Sequence, residues 1–118
     1  MNKSGWIAGI YVDSSGLDHG FLRNPNGNLT KFDAPGAKFT DPEKVNAERV
    51  VAGALLDKAR VSHGFIRSKR GAITTFDAPG AGTGSNQGTS AYDINDDGVV
   101  AGTEIDGNGV NHGFIRMP

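Results

Sequence analysis

The stretch HGFLR at residues 19–23 returns as HGFIR at 63–67 and again as HGFIR at 112–116. Two further motifs keep the same register. WIAGIY at 6–11, VVAGAL at 50–55 and VVAGTE at 99–104 align at the same offsets, and FDAPGA at 32–37 recurs at 76–81. Ahead of each AG motif runs a short leader, MNKSG, VNAER or INDDG, that matches at Asn2, Asn46 and Asn95. The second interval is the longer because GTGSNQG at 82–88 interrupts the connection. A period of this size is the mark of a repeat architecture, so each motif is read by its place in a unit.

One unit reads as a leader strand ending in Asn, a turn, the VVAG strand, a turn, HGFIR, a Gly turn, and ITTFDAPGA. The runs are short, rich in Val, Ile, Phe, Tyr and Thr, and bounded by Gly, Asn, Asp and Pro, which predicts four short strands per unit. Only DPEKVNAER at 41–49 has the look of a helical turn. The chain reads as a single repeat domain, 1–118, with units at about 1–38, 39–82 and 83–118, the third ending before its ITTFDAPGA strand. In HGFLR, period-2 alternation puts His19, Phe21 and Arg23 on one face and Leu22 on the other. In WIAGIYV both faces carry large apolar groups, so the sheets are expected to be covered on both sides. The fold class is therefore all-β, built of tandem four-stranded blade-like repeats as in a β-propeller or a propeller fragment, with a β-trefoil-like arrangement as the alternative. Gly9, Gly53, Gly102, Gly20, Gly64 and Gly113 are expected where a neighbouring blade approaches the backbone.

Bulk composition narrows function. Twelve basic and thirteen acidic residues leave a net charge of -1 with no like-charge block, which argues against nucleic acid as a partner. No cysteine is present, so disulfides, thiolate metal sites and cysteine nucleophiles are excluded. No apolar run approaches the roughly 20 residues of a membrane span. MNKSGWIAGIY turns polar too soon for the apolar core of an export signal.

These motifs resemble the HAF family of bacterial extracellular repeat proteins, whose units run as IN, a Gly turn, VVG or VAG, an Asp and Gly turn, HGF, and TTFDxPGA. The resemblance covers nearly the whole chain. It implies a tandem, propeller-like β protein from a secreted, extracellular context and brings no assigned activity with it. The chain departs from the pattern in holding few units and no export signal, so a fragment, or a ring shared between subunits of a homo-oligomer, is expected.

His19, His63 and His112 are the ligand-facing candidates. One imidazole per unit could line a shared cavity or hold a metal, whereas the architectural reading has each ring bond backbone at a tight strand entry. Repetition favours architecture, since a packing residue is needed in every unit and a catalytic one only once. In FDAPGA, Pro35-Gly36 and Pro79-Gly80 fit the centre of a type II turn, with Asp33 and Asp77 expected to bond backbone amides. Asp13, Asp57 and Asp106 read as turn formers, and the Arg of HGFIR is expected to pair with them. DINDDGVVAGTE at 93–104 satisfies the EF-hand calcium-loop pattern, with Asp93, Asn95 and Asp97 at alternate positions, Gly98 sixth and Glu104 twelfth. No GxSxG elbow or phosphate loop is present. No catalytic residue and no cofactor is expected, Ca²⁺ at 93–104 apart. The functions consistent with this are a non-catalytic binding or scaffold module, for carbohydrate or another surface ligand, that self-associates. The alternatives are a calcium-dependent β module and a hydrolase with a site between units.

Overall fold

The computed structural model describes all residues, Met1 to Pro118. The chain is all-β, with ten strands and no helix: β1 (Ile7–Val12), β2 (Asp18–Arg23), β3 (Leu29–Phe32), β4 (Phe39–Val45), β5 (Val51–Leu56), β6 (Ser62–Arg67), β7 (Ile73–Phe76), β8 (Gly88–Ile94), β9 (Val100–Ile105) and β10 (Asn111–Arg116). Consecutive strands pair antiparallel as three meanders, β1-β2-β3, β4-β5-β6-β7 and β8-β9-β10. The second and third join into a seven-stranded sheet through one parallel pairing, Ser62 opposite Gly88. That sheet is strongly curled into a half-barrel, and the first meander forms the other sheet.

Local sequence explains the meanders. Each β1–β2, β4–β5, β5–β6, β8–β9 and β9–β10 connection is a five-residue Asx loop, for example Asp13 to Leu17. Asp13 N–H donates to Leu17 O (3.0 Å), Gly16 N–H donates to Asp13 O (3.0 Å), and the fourth residue takes a positive φ. This is a type I turn followed by a left-handed residue, a hairpin geometry matched to strand twist. Glycine fills the left-handed position in most of these loops, but Arg49 (φ 63°) and Arg60 (φ 64°) fill it in the second meander. The expected helical turn at 41–49 is instead β4 with a bulge between Pro42 and Lys44, because Thr40 and Val45 are buried against the neighbouring meanders and propensity yields to burial. β8 carries the same irregularity between Ala91 and Asp93.

The apolar core lies between meanders. Leu22 and Ala34 of the first meet Val45, Val51, Leu55 and the fully buried Phe65 of the second. On the opposite face, Ala52 joins Ala91, Ile94 and Val100 of the third, with Ile66, Phe76 and Phe114 packed alongside. The middle meander is therefore covered on both faces, as alternation in VVAGAL requires. Four contacts between meanders occur twice at equivalent positions. Ala34 N–H donates to Thr40 Oγ1 (3.1 Å) and Ala78 N–H to Thr89 Oγ1 (3.0 Å). Lys38 N–H donates to Leu56 O and Gly82 N–H to Ile105 O, both at 2.8 Å. Asn2 Nδ2 donates to Asn46 O (2.8 Å) and Asn46 Nδ2 to Asn95 O (2.9 Å). Arg67 lies over the Phe32 ring at 5.0 Å and Arg116 over Phe76 at 4.8 Å.

Two expectations are corrected. Gly9, Gly20, Gly53, Gly64 and Gly102 admit an aromatic ring from the adjacent strand of the same meander, not a neighbouring blade, and Gly113 has no such neighbour: a Cβ on Gly20 would lie 2.8 Å from the Phe32 ring, and one on Gly64 2.5 Å from Phe76. Arg23, Arg67 and Arg116 make no pair with Asp13, Asp57 or Asp106. The Arg67 and Arg116 guanidinium groups stack instead on the preceding meander's Phe, where the ring face attracts the charge and the apolar stem stays covered.

Candidate functional site

Each HGF histidine sits at the second position of its strand, beside the loop that opens its hairpin. Asp13 begins that loop, and its Oδ1 accepts from the Ser15 (2.7 Å) and Leu17 (3.1 Å) amides. Its other oxygen, Oδ2, lies 2.7 Å from His19 Nε2, and His19 Nδ1 lies 2.7 Å from Asp33 Oδ1 just beyond β3. The second meander repeats the arrangement: Asp57 caps Ala59 and Val61 and meets His63 Nε2 at 2.9 Å, while His63 Nδ1 meets Asp77 at 2.6 Å. In the third, Asp106 holds His112 Nε2 at 2.8 Å, with no second carboxylate.

A ring nitrogen facing a carboxylate must carry the proton, because the carboxylate only accepts. A carboxylate on both nitrogens favours the imidazolium form of His19 and His63. The bonds from Asp13 and then Asp33 raise the His19 pKa above its usual range. At His63 burial pulls the other way, but the bonds to Asp57 and Asp77 prevail and the pKa is again raised. Asp13, Asp57 and Asp106 are held below the usual carboxylate range, first by their histidine and then by the loop amides they accept from. An imidazolium has no lone pair, so neither His19 nor His63 can serve as a general base or a metal ligand in this state. The ring ties the loop that precedes its own strand to the end of the strand that follows, β3 for His19 and β7 for His63. This corrects the backbone-bonding role expected for the histidines and the amide-bonding role expected for Asp33 and Asp77. The sequence does contain the cue: an aspartate six residues before the histidine and another fourteen after it, in both of the first two units.

The 93–104 motif is spread apart. Asn95 Oδ1 accepts from the Asp97 (3.0 Å) and Val99 (2.9 Å) amides, Asp93 Oδ1 faces Lys44 Nζ at 3.4 Å, and Glu104 is buried on β9. Asp93 pairs across from Ala101, three residues from Glu104, a separation of about 10 Å along the strand. No group of three or more His, Asp or Glu side chains is arranged to hold a metal ion. VVAG is strand here, and a strand cannot curl its end back on the loop as an EF-hand does.

Two features of the first interface have no equivalent in the second. Asp18 on β2 and Asp41 on β4 form a carboxyl pair where the second interface has Ser62 and Ser90, whose hydroxyls lie 3.0 Å apart. Asp41 is pushed up to about 6 by burial and by the hydrogen bond it shares with Asp18. One of its oxygens is buried away from every donor, as suits a protonated carboxyl. Beside His19 lies an open groove of about 530 Å³, lined by Leu17, His19, Asp33, Ala37, Lys38 and Lys58. Comparison of the chain with family models, curated proteins and solved structures returns no match.

Proposed function

We propose that the chain is a non-catalytic repeat module, of the HAF-like extracellular kind, whose meanders stack as the blades of a propeller and whose array is extended by further copies of the chain. The observation that carries this reading is the recurrence of the inter-meander contacts: a bond set used twice in succession is a heterologous, head-to-tail interface, and such interfaces repeat until a ring closes. The unpaired halves of that bond set are at hand. Asn95 Nδ2 makes no hydrogen bond, whereas Asn2 and Asn46 each donate to the next Asn carbonyl. The outer edges of β1 and β10 are unpaired, and Ile10 (46%), Val12 (59%) and Ile115 (72%) lie exposed beside them. Exposed strand edges with apolar side chains are templates for association. At His19 and His63 a carboxylate sits on each ring nitrogen, which leaves neither imidazole a free nitrogen to act as a base and favours a bracing role for them.

Light scattering across a concentration series tests the assembly. The expected result is a concentration-dependent oligomer that Asn95→Asp weakens, because aspartate keeps the Oδ1 cap on Asp97 and Val99 and loses the donor. A chain that stays monomeric throughout would falsify the self-association.

A further inference from the structure

The second interface shows what fills the groove that the first leaves open. Lys38 corresponds to Gly82, Lys58 to Gly107 and Leu17 to Val61, and the five residues 83–87 are the extra length of the second connection. That segment lies along the edge of the β5–β6 hairpin: Asn86 N–H donates to Arg60 O (2.8 Å), and Ser62 N–H donates to Gln87 O (2.9 Å). The Gln87 carboxamide then bridges to Gly84 N–H (2.9 Å) and Gly107 O (3.3 Å). In the first interface the corresponding backbone positions, Gly16 and Asp18, carry no equivalent bond, and the space over Leu17 and Ala37 is open. Two lysines flank it, and neither Lys38 nor Lys58 has a carboxylate within ion-pair distance. The two carboxylates nearest the floor, Asp13 and Asp33, are already committed to His19.

We propose that the groove between the first two meanders, over Leu17 and Ala37 and between Lys38 and Lys58, is a docking site for an extended acidic peptide segment that takes the place occupied at the second interface by residues 83–87. The backbone contribution is strand-like addition to the edge of the β1–β2 hairpin, a mode in which main-chain bonds give affinity and side-chain positions give specificity. The side-chain requirement follows from the substitutions. At the second interface a Cβ on Gly82 would collide with Gln87 Oε1, so that carboxamide needs a glycine beneath it. With Lys38 there instead, the ligand residue at the Gln87 position must be shorter, and two unpaired ammonium groups select a carboxylate. An aspartate satisfies both conditions.

The groove lies within one chain, so its occupancy is independent of whether copies associate. The probe is a fluorescent heptapeptide, GTGSDDG, which keeps the 82–88 sequence and places acids at the Asn86 and Gln87 positions. Anisotropy titrations should show saturable binding that weakens with salt and falls about tenfold or more in the Lys38→Glu, Lys58→Glu double variant. A second variant carries TGSDD, the 83–87 segment with the probe's two acids, between Lys38 and Phe39, filling the groove from within, and should abolish binding while the chain still unfolds cooperatively. Absence of peptide binding, binding unchanged by both variants, or preferential binding of an oligogalacturonate that the lysine variant abolishes would each overturn the proposal, the last in favour of an acidic glycan.

Discussion

At the scale of the residue, His63, like His19, is a cross-brace between two carboxylates. Its two bonds join elements 6 and 14 residues away, so its loss loosens a hairpin loop and a strand end together. His63→Gln should lower the melting temperature by about 5 °C near pH 6, since glutamine cannot supply two charge-assisted donors to Asp57 and Asp77. The pH dependence fixes the sign. A histidine whose pKa is raised in the folded state stabilises fully below its unfolded value of 6.5 and loses that contribution as pH rises through the folded value. The gap between wild type and His63→Gln should therefore be widest below pH 6.5 and shrink in alkali, as melting curves across that range will report. A gap that grows with pH would mean the ring is held neutral. The periodic histidine was visible in the sequence, and so were its aspartates. What hid the clamp was that six and fourteen residues are not neighbours in any one element; only the meander brings them to one ring.

At the scale of the element, strands and turns were legible almost throughout, because Asx, Gly and Pro punctuate them. The exceptions are instructive. DPEKVNAER has helical composition, and Pro42 and Glu43 gave no hint that burial of Thr40 and Val45 would hold it extended. VNAERVV and DKARVSH lack the glycine of their sister loops, yet they adopt the same turn with Arg49 and Arg60 left-handed. A left-handed non-glycine residue costs about 1–2 kcal/mol, partly offset by the lower entropy of its unfolded chain. Arg60→Gly should thus stabilise by about 0.5 kcal/mol in urea unfolding. Arg49→Gly should gain less, since Arg49 also covers the Trp6 ring at 5.2 Å. Equal gains would remove that ring contact from the account.

The HGF glycines give a second contrast between elements. Gly64 lies under the Phe76 ring, whereas a Cβ on Gly113 would have only Gly102 O near it, at 3.9 Å. Gly64→Ala must shift Phe76, a ring that packs edge-on against Phe114 at a centroid distance of 6.0 Å. It should cost about 1–3 kcal/mol, the usual range for overpacking. Gly113→Ala should be within about 0.5 kcal/mol of wild type in dilute solution. A large loss at Gly113 in dilute protein, measured beside Gly64→Ala, would show that position to be covered and contradict an open β10 edge.

At the scale of the whole molecule, repetition told which segments are equivalent but not which differences between them matter. Composition could not show that Asp18 and Asp41 meet, because they belong to different units and only the packing of β2 on β4 joins them. Their meeting shapes the stability of the whole chain. Burial and the neighbouring Asp18 push Asp41 up to about 6 in the folded state from an ordinary value of 3.8, so the folded state holds its proton more tightly, and stability falls as pH rises from 3.8 to about 6. His19 and His63 add a further fall above 6.5. Asp13, Asp57 and Asp106 act oppositely: their lowered values stabilise above 3.8, and that contribution is lost as pH drops below it. The three sets together place the maximum in melting temperature at about pH 4 to 5, on the acid side of neutrality. The Asp18→Ser, Asp41→Ser double variant copies the Ser62–Ser90 pair of the second interface and removes the middle contribution alone. Its melting temperature should be flat between about pH 4 and 6 and exceed that of wild type at pH 7, where wild type confines two carboxylates at one interface. A variant that keeps the wild-type slope across that interval would show that the carboxyl pair does not set it.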